Sequence, residues 1–118
     1  MPSPALVLAI VILFVGEGIN IWAEMLSAKL PGTFSLFEPK NLFLFGMVIL
    51  GFSFLLLGYS LGYQSTKNIW IITAASVVGI LITEPILAYL FFHQLPEKGS
   101  LVGLILGVIG LIATLVWV

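Results

Sequence analysis

Cysteine is absent from the chain, and histidine occurs once, at His93. These gaps exclude disulfides, thiolate nucleophiles and thiolate metal sites. One histidine among scattered carboxylates is not a metal-site pattern either. Charge is scarce too: lysines and glutamates together make up 8% of 118 residues, against 61% hydrophobic. A water-soluble domain needs roughly 25% charged residues to coat its surface. The net charge is −1 and the four lysines are scattered, so there is no basic patch for a nucleic acid. No nucleophile–base pair and no cofactor motif stands out, so neither an enzyme nor a cofactor is expected. What remains is an integral, multi-pass membrane protein whose first partner is the lipid bilayer, most simply that of a prokaryotic inner membrane.

The apolar residues fall into runs of about 20, the length a spanning helix needs. Four helices are predicted, over 5–29, 41–63, 68–92 and 100–118, as one all-α domain filling 1–118. The first run contains acids and has no basic residues before it, so it reads as a retained helix rather than a signal peptide. The connections 30–40, 64–67 and 93–99 hold Pro31, Gly32, Pro39, Pro96 and Gly99, as loops should. The last two are short, which predicts antiparallel neighbours in a compact bundle. Lys29, Lys40 and Lys98 fall on one side, and Lys67 with the amino terminus on the other. That bias is weak, favouring loops one and three inside or a chain inserted both ways.

Inside the first run, "VGEGINIWAE" places Glu17, Asn20 and Glu24 at i, i+3 and i+7, on one helical stripe that Ser27 extends. Glu17 is near mid-span. A charge there costs about 2.5–3.5 kcal/mol on insertion scales, so the stripe must face protein or a water-filled cavity. Such a carboxyl can carry a proton or pair with a cationic ligand. It can equally be a protonated packing group bonded to Thr, Ser or Asn on a neighbouring helix. Trp22 suits an interface anchor.

In the third run, "TEPILAYLFF" sets Glu84 beside Pro85. Proline deprives the Leu81 carbonyl of its usual partner, and in lipid that group needs a substitute. Glu84 therefore either lines a site or patches the interrupted backbone. Thr73 lies three turns away on the same face, and Trp70 and Tyr63 offer aromatic surface to a cation. His93, at the helix end, reads as a solvated or capping residue.

Glycine supplies the packing code. Gly99, Gly103 and Gly107 recur at intervals of four and Gly110 follows, a small-xxx-small repeat that lets backbones approach closely. That face is expected to meet a second copy or the chain's own third helix. Gly51, Gly58 and Gly62 form a narrower stripe on the second helix, and Ser76, Gly79 and Thr83 one on the third.

Residues 61–115, "LGYQSTKNIWIITAASVVGILITEPILAYLFFHQLPEKGSLVGLILGVIGLIATL", resemble the drug/metabolite transporter superfamily. "EPILAYLFF" followed by a short loop and "GSLVGLILGVIGLIATL" is similar to the C-terminal signature of EamA-type repeats. The four-helix length and "FFHQ" are similar to the small multidrug resistance family, which has "FFGQ" there. The resemblance implies a dimeric four-helix transporter of small molecules, a homodimer or a heterodimer with a similar chain. It also implies a first-helix glutamate shared by protons and cationic substrate, which by depth is Glu17. This chain differs in its second acid, Glu24, and in Asn20 where a small residue is usual. The resulting expectation is proton-coupled export of a cationic or polar metabolite or drug. A lipid-linked-sugar flippase subunit and a non-transporting scaffold are the alternatives.

Overall fold

Ser3 starts the first helix. Its Oγ accepts a hydrogen bond from the Leu6 amide at 3.1 Å, and Pro4 occupies the first turn, where its missing N–H costs nothing. Helix α1 then runs Pro4–Lys29. A computed structural model describes residues 3–30, 35 and 37–117, with the side chains of 40 and 115 left aside. Pro31 and Gly32, expected in the first loop, lie outside the described residues. Beyond that loop a short 3-10 turn, Pro39–Asn41, leads into α2, Leu42–Thr66. The third helix, α3, is Ile69–Phe92 and continues through Pro85, and α4 is Lys98–Val116.

Helix α2 extends three residues beyond the expected end at 63. Nothing in Gln64–Thr66 breaks a helix, and the Ser65 and Thr66 hydroxyls both donate back to the Gly62 carbonyl. Lys67 ends the helix in the left-handed region, φ 58°, with its amide donating to the Tyr63 carbonyl. Asn68 at once caps α3 by accepting from the Trp70 amide at 3.0 Å. The expected four-residue loop is thus a two-residue turn. His93 closes α3 as Lys67 closes α2, with φ 53° and its amide on the Tyr89 carbonyl, which matches the capping role expected of it.

Helices α1, α2 and α3 are long and apolar enough to cross a membrane. The fourth, α4, is apolar and the shortest of the four. Large apolar side chains point outward, Leu56 and Ile49 among them, while among the described residues only Leu13 and Ile72 of the larger side chains are fully buried. That distribution suits lipid as solvent. Lipid tails are as apolar as leucine, so helices associate through close packing rather than through a hydrophobic drive.

The close packing centres on α1 and uses the two small stripes expected on α2 and α3. Gly16 faces Gly51 and Gly58 receives Leu13, so positions fall along α2 as they rise along α1. Phe14 lies on Gly79 and Gly18 nears Thr83, so positions along α1 and α3 rise together. Ile72 fills the space over Gly62 and ties α3 to α2. At one end of the bundle Trp22 meets Phe91 edge-on, with ring centroids 5.8 Å apart, and Lys29 Nζ sits 5.8 Å from the same Phe91 ring.

Helix α4 does not join this core. Among the described residues it touches α3 only, through contacts such as Gly107 on Leu81. The chain is accordingly a slab of 47 × 34 × 18 Å with a radius of gyration of 16.0 Å, where a close-packed chain of this length would have about 13.5 Å. The four-helix bundle expected from the sequence is here a three-helix core with one outlying arm.

The glycine contacts make a direct prediction. A Cβ on Gly58 would stand 2.8 Å from Leu13 Cγ and 3.3 Å from the Ala9 carbonyl oxygen, whereas one on Gly46 meets nothing within 4 Å. Gly58→Ala should therefore lower stability in detergent by about 1–3 kcal/mol. Gly46→Ala should cost nothing. Thermal unfolding of the two purified variants checks this, and equal melting points would contradict the packing described.

Candidate functional site

A polar cavity of about 320 Å³ opens between α1, α2 and α3. Its acidic wall is the α1 stripe, Glu17, Asn20 and Glu24, and Glu84 joins from α3. The facing wall is apolar, with Val48, Phe52 and Leu55 from α2. The helical spacing that put three polar groups on one face thus gives them one cavity. Four of the expected site residues are brought together there.

The four differ in depth. Glu17 and Asn20 are each 8% exposed, deep in the helix contact, while Glu24 and Glu84 are exposed toward the mouth. Glu24 is within electrostatic reach of both Glu84 and Glu17. Among the described residues no basic side chain lines the cavity. Negative charge brought there is balanced only by protons or by a cationic ligand.

Glu17 has one hydrogen-bond partner among the described residues: the Ser76 hydroxyl donates to its Oε1 at 2.6 Å. Ser76 is itself buried, one turn before Gly79 on the face that meets α1. The contact fixes one oxygen of the carboxylate. Sequence reasoning placed Ser76 in a packing stripe and missed it as the partner. The signal available was that a buried acid needs a donor, and that Ser76 lies on the small face of a neighbouring helix.

Asn20 is held differently. Its side chain packs against the Gly51 backbone so closely that a Cβ there would stand 2.7 Å from Asn20 Cγ. Its Oδ1 is buried and accepts no hydrogen bond from the described residues. A buried acceptor without a donor is destabilising by about 1–3 kcal/mol, so Asn20 Oδ1 calls for a donor from a water or a ligand.

The remaining expected residues lie elsewhere. Tyr63 is exposed at the end of α2, its ring 5.9 Å from Lys67 Nζ. Trp70 is exposed at the start of α3, and Thr73 one turn on is half-buried. None of the three lines the polar cavity. Thr73 and Glu84 share a face, but eleven residues separate them by about 16 Å along the helix. Ser27, which extended the stripe, turns its hydroxyl back to the Glu24 carbonyl at 2.7 Å. Trp22 is half-exposed, as an interface anchor would be.

A second, larger groove of about 660 Å³ separates α3 from α4, and Glu84 and Ile80 line it as well as the polar cavity. Of the α4 glycines, Gly103 lines this groove and Gly107 touches Leu81. A methyl group added at Gly99, Gly103 or Gly110 would meet none of the described residues within 4 Å. Comparison of the chain with family models, curated proteins and solved structures finds no match.

The Ser76–Glu17 bond predicts energetic coupling. In a cycle of Ser76→Ala and Glu17→Ala, unfolding in detergent should show a coupling of about 0.5–2 kcal/mol, the range for hydrogen bonds between membrane helices. Additive effects would show that the two side chains do not interact.

Proposed function

We propose that this chain is a subunit of a small-molecule secondary transporter in a prokaryotic inner membrane, exchanging protons for a cationic or polar substrate at Glu17. The observation that carries this reading is the placement of Glu17. It is buried at mid-span, anchored through one oxygen to Ser76, and borders a cavity that holds three further polar groups and, among the described residues, no base. A purely structural acid would be enclosed by its partners rather than set in the wall of a cavity. The resemblance of residues 61–115 to drug/metabolite transporters supports the same class.

In this mechanism Glu17 holds either a proton or the substrate cation, and Ser76 keeps the carboxylate aimed while its load changes. Because the two loads compete for one group, neither crosses uncoupled. Asn20, Glu24 and Glu84 extend the binding surface toward the mouth. Trp70, Tyr63 and Thr73, being remote from the cavity, have at most a part along the route.

The working unit of this mechanism is a dimer. An 18 Å slab has no room for an enclosed pathway, and the glycine edge of α4 stands open. A second copy, or a similar four-helix chain, would close both in an antiparallel or symmetric arrangement.

Two experiments test these claims. Glu17→Gln in proteoliposomes should abolish proton-coupled uptake while the protein still folds, and unchanged uptake with unchanged coupling would remove Glu17 from the mechanism. Gly103→Leu places bulk where none of the described residues stands, so the subunit should fold while its particle mass in nanodiscs falls to that of one copy. Retention of a two-copy particle would move the contact off this face.

A further inference from the structure

The polar cavity has a layout more specific than a general attraction for cations. Its acceptors lie in order along α1: Glu17 and Asn20 are about 4.5 Å apart in rise, and Glu24 follows after about 6 Å. The inner two are buried and the outer one is exposed beside Glu84. There are thus two acceptor stations, one deep and one at the mouth, separated by about 8 Å of helix rise. Val48, Phe52 and Leu55 supply apolar lining to the same cavity from α2.

The deep station asks for N–H donors. Asn20 Oδ1 is buried without a hydrogen bond from the described residues, in a side chain that lines the cavity. The amide turns about a soft two-fold torsion, which lets its oxygen leave the Gly51 backbone and meet a donor in the cavity. A primary ammonium offers three N–H donors and serves Glu17 and Asn20 together. A fully alkylated ammonium neutralises Glu17 and leaves Asn20 unpaired. A bare metal ion fits poorly, because hard cations take six or more oxygens. Among the described residues no group of three or more histidine or carboxylate ligands is positioned to hold one.

The mouth asks for a second positive charge. Glu24 and Glu84 line the same cavity, and among the described residues no base lines it. A ligand with one charge satisfies one station and leaves like charges facing each other at the other.

From this arrangement we infer that the cavity binds a linear diamine: one primary ammonium at Glu17 and Asn20, the second at Glu24 and Glu84, and the methylene spacer on the α2 wall. Bonds of about 1.5 Å laid in a zig-zag let a spacer of four or five methylenes cover the interval between the stations. The inference rests on the cation-binding reading of Glu17 and narrows it to a substrate class.

Isothermal titration of the purified protein in nanodiscs tests it with four probes: 1,4-diaminobutane, 1,5-diaminopentane, 1-aminobutane and the permethylated form of 1,5-diaminopentane. Both diamines should bind at least about tenfold more tightly than the monoamine, which leaves the second station unserved, and than the permethylated compound, which has no N–H donors for a site built to receive them. Asn20→Leu should shrink the preference for the primary over the permethylated diamine. Glu24→Gln, at the exposed mouth and with little consequence for folding, should shrink the diamine-to-monoamine ratio. Equal affinity for mono- and diamine, or tighter binding of the permethylated compound, overturns the diamine assignment and leaves the cation-binding reading standing. No saturable binding of any of the four by a folded, thermally stable protein overturns both.

Discussion

Everything in this chain depends on how closely α1 approaches its two neighbours. In a bilayer the apolar outer surfaces gain nothing by leaving lipid, so the helices are held where backbones can come near each other. Gly16 against Gly51, Leu13 over Gly58 and Phe14 over Gly79 provide that approach. The same contacts set the rotation of α1, and the rotation decides that Glu17 and Asn20 are buried while the flanking valines Val11 and Val15 face lipid. Site and scaffold are one set of contacts. A side chain added at Gly51 would strike the Asn20 amide, and one at Gly79 would approach Glu17 Cγ to 3.7 Å.

The stripe of Glu17, Asn20 and Glu24 was legible because the cost of a buried charge and the helical period are both local properties. The α2 and α3 small stripes were legible for the same reason. Which hydroxyl would reach Glu17 was not, since Ser76 is 59 residues away and its pairing depends on the register of two helices. Tyr63, Trp70 and Thr73 illustrate the converse case, lying outside the cavity that the stripe lines. Aromatic character and helical phase drew them toward the site, but phase says nothing of height, and they sit near the α2–α3 turn. The position of α4 was illegible for a further reason. A glycine repeat announces a close contact without naming the partner, and among the described residues most of that repeat has none.

Within the site, burial divides the labour among like groups. Glu17 has a fixed donor, Asn20 has an acceptor with none among the described residues, and Glu24 and Glu84 share the mouth with no basic residue lining it. The polar wall comes chiefly from α1 and the apolar wall from α2. Charge and shape are thereby assigned to different helices, so one can change without disturbing the other.

The helices are also unequal in length, with a consequence for the bilayer itself. At 1.5 Å per residue α1 measures about 39 Å and α3 about 36 Å, but α4 only about 28 Å. A hydrocarbon layer of about 30 Å is shorter than the long helices, which span it by tilting or by reaching into the headgroup region, whereas α4 about equals it. Because α4 leans on α3 alone among the described elements, that one contact sets its angle to the core. The seam at Glu84 is thus the place where helices of unequal length meet a bilayer of one thickness.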